Sequence, residues 1–129
     1  MDRDRAGRTA LINAAIDRET MLAQRLLESG ADPNAFDAAG WSALHFAAQN
    51  CDADLVQMLI GARAALEPRD RNGNSPLWRA VMSYRGGPEA ITPLLNAGAD
   101  PDAANVHGVS PRSLAMAIAN YDTAKFFER

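Results

Sequence analysis

The side chains best suited to chemistry, His45, Cys51 and Asp52, stand within eight residues of one another. An imidazole beside a thiol or a carboxylate is the minimum for nucleophilic or general-base catalysis. Such a base also needs a positioned nucleophile or substrate-binding groups, and no further group of either kind accompanies His45. Cys51 has no evident cationic partner to stabilise a thiolate, so it reads as a small structural residue rather than a reactive one. One cysteine with two histidines, His45 and His107, cannot make an ordinary Cys/His zinc site. No segment matches a phosphate-binding glycine loop or a nucleophile elbow. The expectation is a protein that is not an enzyme and takes no metal or cofactor. The elements carrying these residues must then serve another purpose.

Composition narrows the class. The chain has 129 residues, 13 basic and 16 acidic side chains, and a formal net charge of −3. That length suits one domain. Its 47% hydrophobic content includes 26 Ala against only 4 Phe, 2 Tyr and 2 Trp, which favours closely packed helices over an aromatic-rich sandwich. No apolar run approaches the roughly 18 residues of a membrane span. Met1-Asp2-Arg3-Asp4-Arg5 has no apolar stretch behind it, so no signal peptide is expected. The acidic balance argues against non-specific binding to nucleic acid. A helical, cytoplasmic protein is expected.

Internal repetition organises the chain. Gly7-Arg8-Thr9-Ala10-Leu11 returns as Gly40-Trp41-Ser42-Ala43-Leu44, Gly73-Asn74-Ser75-Pro76-Leu77 and Gly108-Val109-Ser110-Pro111-Arg112, with glycines 33, 33 and 35 residues apart. Asp4, Asp37, Asp70 or Asn105 stands three residues before each glycine. Asp-x-x-Gly suits a type I turn. Thr9, Ser42, Ser75 and Ser110 suit helix N-caps, and Pro76 and Pro111 suit the first helical position. Leu11, Ala14 and Ala15 recur as Leu44, Ala47, Ala48 and as Leu77, Ala80, Val81, a narrow stripe of small residues that lets helices approach closely. Second helices carry Met21, Leu22, Leu26, Leu27 and then Leu55, Val56, Leu59, Ile60. Gly30 and Gly98 follow second helices as left-handed C-caps.

These phrases, above all Ser42-Ala43-Leu44-His45-Phe46-Ala47-Ala48, resemble the ankyrin repeat along nearly the whole chain. The resemblance implies an all-α solenoid of helix-turn-helix units with short β-hairpin or loop tips, four repeats at about 4–36, 37–69, 70–104 and 105–129 in a single domain. It makes His45 the repeat's signature histidine, which ties adjacent loops by hydrogen bonds, and places Cys51 where the family often has Gly between helices. Trp78 stands at the position of His45. Four departures stand out. Arg63 replaces the C-cap glycine and must end its helix differently or adopt a left-handed conformation at about 1–2 kcal/mol. Ser83-Tyr84-Arg85-Gly86-Gly87-Pro88 carries two extra residues. Thr92 and Pro93 suit the cap and first residue of a shortened helix. Arg112 and Glu128 replace apolar residues, as a polar C-terminal cap would.

The resemblance also implies that partners bind the hairpin tips and first helices. At the tips stand Arg3, Arg5 and Arg8; Phe36, Ala38 and Trp41; Arg69, Arg71 and Asn74; Ala104, Val106, His107 and Val109. The first helices add Gln49, Asn50, Arg79, Met82 and Ser83, followed by Tyr84 and Arg85. Trp, Tyr and Arg are the side chains most enriched in binding hot spots. Trp41, Arg71, Arg79 and Tyr84 are the expected central anchors, with packing of Trp41 against Phe36 or Asn74 as the alternative. Arg69, Arg71, Arg79 and Arg85 could form a positive strip facing an acidic partner, or else pair with Asp70 and Glu67. The expected function is capture of another protein by a chain that is monomeric when free. With no second domain, it would act by occupying its partner. Twelve Arg against one Lys, with abundant Ala, suggest a GC-rich bacterial coding sequence. Resemblance to small bacterial ankyrin proteins then implies immunity, the sequestration of a toxin or effector enzyme. The alternative is an adaptor or regulator that binds a housekeeping protein without inhibiting it.

Overall fold

The computed structural model describes residues 6–118 and 122–128. Arg3 and Arg5, expected at the first tip, lie outside the described residues. Among the described residues seven α-helices follow in order: α1 Ala10–Ile16, α2 Thr20–Glu28, α3 Ala43–Gln49, α4 Ala53–Gly61, α5 Pro76–Ser83, α6 Ile91–Asn96 and α7 Pro111–Ala117, then a 3-10 helix at Thr123–Phe127. The fold is an all-α solenoid. Among the described residues the tips carry a single antiparallel bridge, Phe36 to Ser42, and no longer strand.

Helix starts follow from the expected caps. The hydroxyls of Thr9, Ser42, Ser75 and Ser110 accept the backbone N–H three residues on, starting α1, α3, α5 and α7. These inner helices stack side by side. Leu11, Leu44 and Leu77 are buried, and Ala14, Ala15, Ala47, Ala48 and Ala80 are at most 1% exposed, so small side chains bring the backbones together. The outer helix α4 buries Leu55, Val56 and Leu59 completely. Its counterpart α2 differs from expectation: Met21 is 72% and Leu22 41% exposed. Among the described residues nothing stacks on the outer side of the first repeat.

Residue-level departures have local causes. Arg63 is left-handed (φ 67°) where Gly30 and Gly98 stand; Arg18 (φ 59°) and Cys51 (φ 54°) are left-handed too, in the turns between first and second helices. The Thr92–Pro93 expectation is corrected: α6 starts at Ile91 after Ala90, and Pro93 is its third residue. Proline fits there because first-turn N–H groups have no intrahelical acceptor. The side chain of Glu89 supplies the cap, accepting the Thr92 N–H at 2.7 Å. At the end of the stack Arg112 turns outward to Asp102 (2.8 Å) and to the Phe127 carbonyl (3.2 Å).

Gly40 shows how tightly the tips pack. It is left-handed (φ 82°), and a Cβ there would lie 3.0 Å from Asp70 Cα and 3.2 Å from the Arg69 carbonyl. Gly40→Ala is expected to cost about 2–3 kcal/mol, combining a left-handed alanine with a backbone displaced between two repeats. Gly30→Ala meets nothing within 4 Å and is expected to cost only about 1 kcal/mol. Urea denaturation of the two variants checks the difference.

Candidate protein-binding face

Three tips share one construction. The Asp37 carboxylate accepts the N–H groups of Ala39 and Trp41, both at 2.9 Å. Asp70 does the same for Asn72 and Asn74 (2.9 and 3.0 Å), and the Asn105 amide oxygen for His107 and Val109 (2.9 and 3.0 Å). Each glycine N–H closes the turn on the carbonyl three residues back, as the Asp-x-x-Gly pattern requires. Single bonds then join tip to tip: Ala38 N–H to Ala6, Arg71 N–H to Ala39 and Val106 N–H to Asn72. The tips are thereby held in a rigid row.

His45 fastens this row to the inner helices. It is 0% exposed, its Nδ1 accepts the Ser42 N–H (3.1 Å), and its Nε2–H donates to the Asn74 carbonyl (2.8 Å). Burial pushes its pKa down, against the Asn74 carbonyl and the Asp70 charge. A neutral imidazole with both nitrogens engaged has no lone pair for catalysis. Asp52 caps α4. The Cys51 thiol donates to the Ser83 carbonyl (3.7 Å), and burial pushes it up and away from the thiolate. One expectation is corrected here: two cations, Arg18 and Arg85, do act on Cys51, though burial outweighs them. Among the described residues no three His, Cys, Asp or Glu side chains are grouped to hold a metal.

Between tips and helices runs a ladder of rings and guanidinium groups. Arg79 binds Asp70 through Nε (3.3 Å) and a terminal nitrogen (2.9 Å). Its Cζ lies 4.2 Å from the Trp41 ring centre and 5.4 Å from that of Trp78. Trp41 packs on Phe46 at 4.7 Å, and Arg8 lies 5.7 Å over Phe46 and 3.7 Å from Asp37. Desolvation opposes ionisation at Asp70. The Arg79 hydrogen bonds, two backbone N–H donors and the Arg79 charge overcome it and hold the carboxyl below its ordinary range. Trp41 thus does pack on the next repeat, through Arg79 rather than through Phe36 or Asn74. Arg8 and Phe46 complete the ladder. Phe46 was missed as a member of this ladder, although its position is that of Arg79 one repeat earlier.

Around the ladder, several expected contact residues are open to solvent. Phe36 is 60% and Val106 66% exposed at the tips, and Met82 is 45% exposed on α5. Arg71 and His107 are exposed at the tips, as is Arg69, whose guanidinium straps the Gly73 and Ala104 carbonyls (3.1 and 2.8 Å). Other expected residues are placed elsewhere. Asn74 is buried: its carbonyl holds His45 and its side chain accepts from Asn105 (2.9 Å). Tyr84, an expected anchor, is 6% exposed and packs edge-on against Phe126 at 5.2 Å. Asn50 staples α3 to the Ala15 and Ile16 carbonyls at 3.2 Å. The four-arginine strip is not continuous. Arg79 is neutralised by Asp70, and Arg85 lies beyond the far end of α5, held by the Met82 and Tyr84 carbonyls with Ser83 half-buried beside it. Eight helical residues, about 12 Å, separate it from the tips.

Stacked helix pairs with a hydrogen-bonded row of turn tips define a repeat solenoid of the ankyrin type. The sequence model described as "Ankyrin repeats (3 copies)" matches residues 11–105, and the chain belongs to the ankyrin-repeat family. It is similar to neurogenic locus notch homolog protein 1 of Danio rerio, 38% identical over 123 residues, and of Homo sapiens, 40% over 124. Each match covers 94% of this chain but 5% of the relative. Tyrosine-protein kinase HTK16 of Hydra vulgaris is 31% identical over 125 residues, covering 95% of this chain and 16% of the kinase. The chain therefore spans only a small part of these relatives. Ankyrin repeats are protein–protein interaction modules. Among the described residues no helix is long and apolar enough to cross a membrane.

Proposed function

We propose that the chain is a non-catalytic module that captures another protein on the face formed by its tips and inner helices. The observation that carries this reading is the exposed apolar set Phe36, Val106 and Met82 around the immobilised Arg79–Trp41 stack. A stack held by Asp70 and the neighbouring rings loses little side-chain entropy on binding, which favours affinity. Arg69 and Arg71, exposed at the third tip, suit an acidic partner surface and a salt-sensitive association rate. The chain acts as a cytoplasmic monomer in this reading, and its finer form is inhibition, with the captured protein a toxin or effector enzyme held inactive. The arginine-rich, alanine-rich composition of a GC-rich coding sequence supports that finer form.

Affinity capture from a lysate of the source organism, followed by assay of the captured protein with and without the chain, tests both levels. Saturable capture of one acidic-surfaced protein that loses activity when bound is expected. A captured partner that stays fully active would overturn inhibition in favour of an adaptor. Absence of any saturable protein complex would overturn the binding reading itself.

A further inference from the structure

The inter-helix turns of three successive repeats line an open concavity of about 440 Å³ that lies away from the tips. Arg18 of the α1–α2 turn, Asn50 and Cys51 of the α3–α4 turn, and Ser83, Arg85 and Pro88 of the α5–α6 turn line it. A regular 33-residue repeat does not build this wall; the two extra residues of Ser83–Pro88 do. Arg18 and Cys51 are both left-handed, so each leaves its helix abruptly at the cavity edge. Arg85 is fixed there by the Met82 and Tyr84 carbonyls at 2.8 and 2.9 Å.

We infer that this cavity is an anion site, in which Arg18 and Arg85 grip an oxyanion carried by the bound partner, either a carboxylate or a phosphorylated side chain. Arg18 and Arg85, from different repeats, both line this one concavity, and planar guanidinium forks suit oxyanions. Arg18 forms no ion pair with a described residue. The neighbouring carboxylate, Glu89, turns one oxygen to the Thr92 N–H at the start of α6 and keeps its charge. Both arginines act electrostatically on the Cys51 thiol, with the Glu89 charge acting against them, so the two cations outnumber the one carboxylate facing that space. That the anion belongs to a protein rests on the proposed function; the site itself does not.

The test is an amide-resolved NMR titration of the full chain with sodium phosphate and with N-acetylglutamate, against sodium chloride at equal ionic strength. Saturable shifts confined to the three turns are expected. Arg18→Ala, an exposed substitution, should weaken them at least tenfold, and so should Arg85→Ala. Saturating anion should also slow Cys51 alkylation at least threefold, because the thiol lines the same cavity. A response to phosphate alone assigns a phosphorylated side chain, and a response to both assigns a carboxylate as sufficient. Shifts matching those in chloride, or centred on Arg69 and Arg71, would overturn the site. That failure would leave capture by the tips untouched, since no cavity residue belongs to the exposed tip set.

Discussion

Asp70→Ala is expected to cost about 3–5 kcal/mol, the range for breaking a buried ion pair by removing one partner. The Asp70 side chain is 1% exposed and that of Arg79 17%. The substitution removes both side-chain bonds to Arg79 and leaves the N–H groups of Asn72 and Asn74 without their acceptor. It also frees Arg79 from its place over Trp41. Asp70→Asn keeps an oxygen for the turn while removing the charge, so it should lose less, about 1.5–3 kcal/mol. Chemical denaturation at pH 7 measures both, and Trp fluorescence should report the altered Arg79–Trp41 contact in each. Because the folded-state pKa of Asp70 is depressed, its stabilisation is present above the ordinary 3.8 and is lost as pH falls through the lower folded value. A loss below about 1 kcal/mol for the alanine variant would mean that Asp70 does not organise the third tip.

His45→Ala is expected to cost about 3 kcal/mol. It opens a cavity beneath the tips and leaves the Asn74 carbonyl and Ser42 N–H short of a partner. His45→Gln isolates the titration. The buried imidazole has a folded pKa below its ordinary 6.5, so the unfolded chain takes up its proton first as the pH falls. The stabilisation from neutral His45 is therefore complete above 6.5 and declines as pH drops toward and through the folded value. Wild-type stability should fall over this window relative to His45→Gln. Burial raises the pKa of Glu67, which contributes with the opposite sign but equally in both proteins. Parallel stability–pH curves from urea titrations would contradict a buried neutral histidine.

The regular parts of the fold were legible because local chemistry repeats. Thr9, Ser42, Ser75 and Ser110 must cap, Asp37 and Asp70 must close turns, and Leu44 with Ala47 and Ala48 must face neighbouring helices. The α6 start was misplaced because the Glu89 side chain accepts the Thr92 N–H, so the helix begins at Ile91, before the threonine. Met21 and Leu22 looked like core because periodicity reports a face, not whether another repeat covers it.

The candidate face was legible by position and only partly by residue. Exposed Phe36, Arg71 and Val106 stand at the tip positions that the ankyrin resemblance implied. Tyr84 failed because the inserted turn carries it back onto Phe126, and Asn74 failed because its backbone must serve His45. The Arg79–Trp41 stack joins side chains 38 positions apart, with Asp70 holding it. No local pattern shows whether such an arginine turns to a carboxylate or to solvent.

The most direct test of capture by the tip face compares two variants against the recovered partner by calorimetry. One carries Phe36→Ser, Arg71→Glu and Val106→Ser; the other carries Asp54→Lys and Gln57→Glu on the exposed side of α4. All five side chains are exposed, so both proteins should fold. The tip variant is expected to bind about 100-fold more weakly, a loss of roughly 2.7 kcal/mol, with the outer-helix variant unchanged. Unaltered affinity in the tip variant, with binding lost in the outer-helix variant, would contradict it.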